Sequence, residues 1–207
     1  MAESHTYEAL ADEWKRPAGI FVLVDVRGVA GDQIRSIQRR FDPKLAATNP
    51  PHLTLVGSSG LGPIAPGTSE AEMRERIARI AEAVRPVTVT FGRPLRFMQR
   101  DIVVLPLSPH GPLRELHERI GRSGLSFLPT RFPFTPHVTL SFFRTLPRGE
   151  LRELLAERVD EPFAIDHLRF SLTDDPLPVR NLFELPLTGH EDRGEGGRCA
   201  DGGVHSR

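Results

Sequence analysis

Residues 51–55 read Pro51-His52-Leu53-Thr54-Leu55, and residues 136–140 repeat them as Pro136-His137-Val138-Thr139-Leu140. Four of the five positions are identical, 85 residues apart. Chance supplies about half of one His-x-Thr triplet in a chain of this composition, so two, each led by proline and followed by leucine, are a pattern. In an extended strand residues i and i+2 project to the same face, about 6.6 Å apart. His52 and Thr54 therefore point together while Leu53 and Leu55 pack behind, and His137 and Thr139 do the same.

The sequence around each copy follows one order. Ile20–Val26 (IFVLVDV) is a continuous apolar run suited to a buried strand, and Ile34, Ile37 and Phe41 line one face of a helix after it. The strand His52–Val56 comes next, then the loop Gly57–Gly67. Met73, Ile77, Ile80 and Val84 mark a second helix, with Thr68 or Ser69 as its N-cap and Pro86 as its stop. Val87–Phe91 and Leu95–Met98 read as strands. The second half runs likewise: strand Ile102–Leu107; a helix with Leu113, Leu116, His117 and Ile120, ended by Gly121 or Gly124; the strand TPHVTLSFF; a helix with Leu151, Leu154 and Leu155; strands Phe163–Leu172 and Leu182–Leu187. Ile20 lies 32 residues before His52, and Ile102 lies 35 before His137. This duplication predicts an α+β, bilobal, pseudo-symmetric fold: two small, mainly antiparallel sheets flanked by helices, with the active cleft between the lobes.

The folded domain is expected over residues 18–188. Residues 1–17, which hold the only tyrosine and the only tryptophan, form an N-terminal arm. Residues 189–207 are rich in glycine and nearly free of aliphatic side chains, the composition of a disordered tail. Lysine plus arginine and aspartate plus glutamate both number 27, so there is no cationic field to coat a polyanion. The only cysteine, Cys199, has no intrachain partner, and no apolar run spans a bilayer or forms a signal peptide. A cytoplasmic, soluble monomer is the expectation, with no membrane partner.

Two imidazoles and two hydroxyls facing one cleft suit phosphodiester cleavage. A histidine can deprotonate attacking water or protonate a departing alkoxide near neutral pH. Threonine hydroxyls can donate to the nonbridging oxygens. No cofactor is needed, and no metal, since zinc would require ligands that the motifs lack.

The paired motifs, their spacing and the order of elements resemble the two-histidine (2H) phosphoesterase superfamily, in particular its 2'-5' RNA ligase-like and RNA 2',3'-cyclic phosphodiesterase branch. The resemblance covers about residues 18–188. It implies hydrolysis of 2',3'-cyclic phosphate, or of 2'-5' linked ends, of RNA or nucleotides. In that scheme His52 is the acid, His137 the base, and Thr54 and Thr139 bind phosphate. Arg131, six residues before His137, resembles a basic position of relatives. After the second motif relatives carry a small residue and then arginine, whereas this chain has Ser141, Phe142 and, later, Arg144. Strand parity puts Ser141 on the histidine face as a further substrate contact and Arg144 on the other. Alternatives are a 2H-type hydrolase or ligase acting on a small cyclic phosphate unrelated to RNA, and a noncatalytic nucleotide-binding module.

Other candidates have plainer explanations. His117 lies on the apolar face of its helix and is read as a core histidine, and Phe132 and Phe134 as core rather than base-stacking aromatics. The Gly57–Gly67 loop lacks the Gly-Lys-Ser/Thr ending of a phosphate loop and serves as a flap or a plain connection.

Overall fold

A computed structural model describes residues 18–97, 101–174 and 177–190. The arm, the tail from residue 191 on, and Met98 lie outside the described residues. Among the described residues nine strands and five helices follow in order: β1 (Gly19–Asp25), α1 (Gly28–Phe41), α2 (Pro43–Thr48), β2 (His52–Val56), α3 (Glu70–Ala83), β3 (Val87–Phe91), β4 (Leu95–Arg96), β5 (Val103–Ser108), α4 (His110–Gly121), β6 (His137–Ser141), α5 (Arg148–Ala156), β7 (Phe163–Ile165), β8 (His167–Asp174) and β9 (Leu177–Pro186).

The helices form where apolar residues recur on one face. Ile34, Ile37 and Phe41 of α1 are buried, as are Met73 and Ile77 of α3 and Leu113, Leu116, His117 and Ile120 of α4. Ser69 caps α3, its hydroxyl accepting from the Glu72 N–H at 3.2 Å. Gly31 lets α1 lie against the end of β1, because a Cβ there would collide with the Val26 carbonyl oxygen.

All strand pairs are antiparallel, in the order β7-β3-β5-β6-β2-β1-β8-β9, with β4 also on β5. The two expected sheets meet edge to edge at one residue pair, Leu53 with Val138, which joins β2 to β6. Outward from that junction the order runs in matched steps: β5 flanks β6 as β1 flanks β2. The next strands out, second from each edge of the sheet, are exchanged. β3 follows the first histidine strand but pairs with β5, and β8 follows the second but pairs with β1. The lobes therefore interlock, and neither completes its sheet from its own half of the chain. The expected single strand Phe163–Leu172 is two strands divided at Asp166, because β7 pairs with β3 in one lobe and β8 with β1 in the other.

The registers match as well. Val24 faces Leu53 and Asp25 faces His52; Leu105 faces Val138 and Pro106 faces His137. Each histidine strand also carries one extra residue at the same point, Leu55 between the partners of Val22 and Leu23, and Leu140 between those of Val103 and Val104. These are β-bulges, and they reset the alternation of faces beyond them. Both strands accordingly show half-open His and Thr positions, a buried residue between them, then two consecutive buried residues.

Candidate active site

The antiparallel pair Leu53 with Val138 sets the geometry. Continuing that register places His52 beside Thr139 and Thr54 beside His137, all four on one face. Leu53, Leu55, Val138 and Leu140 are fully buried on the side that the helices cover. Two helix side chains hold the strands from behind. Gln38 of α1 donates its amide to the Thr139 carbonyl at 2.8 Å, and His117 of α4 uses Nδ1 on the Leu55 carbonyl at 2.7 Å. His117 also stacks on Phe134, with ring centroids 3.9 Å apart and planes inclined by 10°. His117 is buried in the core, as expected, and the partly buried Phe134 packs against it.

The two histidines are oriented alike. His52 Nδ1 lies 2.7 Å from the Pro50 carbonyl oxygen, and His137 Nδ1 lies 2.6 Å from that of Thr135. A carbonyl only accepts, so Nδ1 carries the hydrogen in each neutral ring and Nε2 is the nitrogen with the basic lone pair.

Their surroundings differ. Burial holds the His137 pKa below its ordinary 6.5, against the opposing pull of the Thr135 carbonyl bond. The Phe97 ring packs on it, with centroids 4.9 Å apart and planes inclined by 32°. Its β5 neighbour is Pro106. At His52 the corresponding neighbour is Asp25. The Asp25 carboxylate receives Nε of Arg169 at 2.9 and 3.0 Å and Nη2 at 2.6 Å. The other terminal nitrogen of Arg169 donates to Ser171 Oγ and Asn181 Oδ1, both at 2.7 Å. Sequence reasoning passed over Asp25, Arg169 and Phe97. An aspartate closing an apolar run and an arginine between Leu168 and Phe170 in an alternating strand were the available signals.

Ser141 corrects the parity argument. It is fully buried, with its hydroxyl 3.5 Å from Asp42 Oδ2, because the Leu140 bulge turns it off the open face. The same Asp42 accepts the N–H groups of Phe142 and Phe143 at 2.7 and 2.8 Å and, through Oδ1, that of Leu45 at 3.0 Å. Arg144 is exposed and paired with Glu150 at 2.9 Å. Arg131 is exposed in the loop before β6 and makes no hydrogen bond or ion pair among the described residues.

The Gly57–Gly67 loop is a pinned connection. The Gly60 N–H donates to the Phe132 carbonyl at 2.7 Å, Ala65 N–H to Ser126 at 2.9 Å, and Ile64 exchanges two 2.9 Å bonds with Ile20. Among the described residues no group of three or more His, Cys, Asp or Glu could hold a metal ion, and no helix is long and apolar enough to cross a membrane.

The family model of the 2'-5' RNA ligase superfamily matches residues 27–176. E. coli LigT complexed with 3'-AMP has a similar fold, with 20% identity and a TM-score of 0.53, covering 83% of this chain and 99% of that one. LigT complexed with phosphate has 18% identity and a TM-score of 0.51, covering 84% and 99%. The protein TT0787 of Thermus thermophilus has 18% identity and a TM-score of 0.50, covering 83% and 99%. No curated protein matches the chain. With most of its length matched, both histidine strands included, the chain belongs to the 2'-5' RNA ligase superfamily of 2H phosphoesterases, and its activity is of the phosphodiesterase or ligase type.

Proposed function

We propose that the protein is a metal-independent phosphodiesterase that opens 2',3'-cyclic phosphate ends, or cleaves 2'-5' linked ends, of RNA or nucleotides. The observation that carries this reading is the single β2–β6 pair, which sets two His-x-Thr motifs side by side with both rings anchored through Nδ1. His137, kept neutral by burial, takes a proton from water at Nε2 as the water oxygen bonds to phosphorus. The bond from phosphorus to the ribose 3'-oxygen breaks, and His52 gives that oxygen its proton, leaving a 2'-phosphate. Thr54 and Thr139 donate hydroxyls to the nonbridging oxygens, where charge builds in the transition state. Arg131 is a candidate phosphate contact from the loop, and Ser141 drops out of the substrate-binding set. Zero net charge favours one nucleotide end over a long polyanion, within a folded domain of residues 18–188 acting as a cytoplasmic monomer.

The test is hydrolysis of 2',3'-cyclic nucleotides and of cyclic-phosphate-ended RNA with excess chelator, for the wild type, His52→Ala and His137→Ala. Each variant should lose roughly 10²–10⁴-fold in kcat. Full activity in either variant defeats the paired acid and base, and loss of wild-type activity in chelator defeats the metal-free mechanism.

A further inference from the structure

We propose that Asp25, clamped by the buried Arg169, is the positioning residue that holds the proton on His52 and so makes one half of a duplicated site the donor half. This rests on the reading of His52 as the acid. Asp25 and His52 are direct antiparallel partners, so their side chains share a face with Cβ atoms about 4.5–5.5 Å apart. The equivalent partner of His137 is Pro106, which carries no charge. The duplication is thus broken at the position beside the imidazole.

The clamp turns the carboxylate towards β8. Arg169 is 2% exposed and engages Asp25 through two nitrogens, Ser171 and Asn181 through the third, while Ser171 also donates to Asn181 Oδ1 at 2.9 Å. Asp25 therefore acts on His52 through space, and the imidazole keeps its Nδ1 bond to Pro50. A buried ion pair is weak evidence for stability, since apolar replacements often match it, so its place beside His52 is the informative feature.

The charged or titratable groups that the strand register places around His52 include Asp25 on β1 and Arg27 just past its end, Arg169 on β8, Glu184 on β9 and His137 on β6. Arg27 and Glu184 pair at 2.9 Å and largely cancel. Asp25 is the cross-strand neighbour, and its cation lies one strand further away. On this geometry the negative charge, one strand nearer than its cation, is the one that would favour imidazolium.

The experiment follows the His52 ring proton by NMR titration, together with kcat/KM against pH on a 2',3'-cyclic nucleotide. It compares the wild type with Asp25→Asn, Arg169→Met and the double variant. Asp25→Asn leaves Arg169 uncompensated, so His52 titration and the alkaline limb move to lower pH. Arg169→Met leaves Asp25 uncompensated, and both move up. Each shift should be about half a unit or more, with the acid limb unmoved. The double variant should return near the wild-type position. It removes both charges at once and leaves no uncompensated buried ion, so it keeps the comparison open if a single variant fails to fold. Folded variants whose His52 titration is unmoved, or moves the same way in both, reduce the pair to a structural role. Opposite shifts in a protein inactive on every ester tested would uphold the coupling and overturn the proposed function instead.

Discussion

Asp42 should be among the costliest single polar residues to remove outside the histidine motifs. Its buried carboxylate ends α1, caps α2 through Leu45 and receives the backbone N–H groups of Phe142 and Phe143 just past β6. Asp42→Ala leaves these three donors without an acceptor at once. An orphaned buried donor costs about 1–3 kcal/mol and a lost helix cap about 1. The two phenylalanine amides are only part-buried, so the lower end applies to them, and the total is roughly 3–5 kcal/mol. For a domain of this size each kcal/mol lowers Tm by about 2–4 °C, so Asp42→Ala should melt roughly 6–20 °C below the wild type. Asp42→Asn retains one acceptor oxygen and should lose about half as much. Thermal unfolding followed by circular dichroism measures both. A Tm for Asp42→Ala within about 2 °C of the wild type would show that water replaces the carboxylate and that the α1–β6 anchor is not what holds the second motif.

Three further outcomes follow from the same structure. Ser141→Ala should keep wild-type kcat/KM and change stability by less than about 1 kcal/mol, since its 3.5 Å contact is weak and it is off the open face; a tenfold activity loss would restore it to the site. Phe97→Ala uncovers His137, whose lowered pKa is due first to burial, so the pKa should climb towards 6.5 and the acid limb of kcat/KM should move to higher pH; a stationary limb would dissociate Phe97 from the base. Burial also lowers the His117 pKa, so the unfolded chain binds more protons than the folded one from just above pH 6.5 down to the lowered folded value. Stability is therefore fullest above pH 6.5 and falls as pH drops through that window, a decline that His117→Gln should make shallower in melts between pH 7 and 5; parallel curves would refute this.

The alternation at residues 52–54 and 137–139 was legible because a strand with one open face imposes a period of two, and both copies obey it. Beyond Thr139 the same rule misplaced Ser141, since a bulge adds a residue without altering the apolar character that periodicity detects. The Phe163–Leu172 run alternates on odd positions up to Ile165 and on even positions from Leu168, a change of phase at Asp166 and His167 that marks a break, but nothing local reveals that the chain changes sheet partner there. Asp25 and Arg169 are 144 residues apart, and only the exchange of β8 into the first lobe brings them together. Long-range pairing of this kind is set by topology, which one sequence encodes only through its whole packing.

That exchange also bears on how a duplicated site can perform an unsymmetrical reaction. Two equivalent motifs with rings anchored through the same nitrogen would share one proton affinity, whereas the proposed displacement at phosphorus needs one group to accept while the other donates. The inequality must come from neighbours. In the first lobe the strand beyond β1 is β8, drawn from the end of the chain, and it carries Arg169 to a carboxylate beside His52. In the second lobe the outer strands β3 and β4 come from the middle, and Phe97, just beyond β4, covers His137. Each lobe receives its flank from the part of the chain that does not hold its own histidine, so the flanks could diverge while the two motifs kept the matched register on which in-line geometry depends.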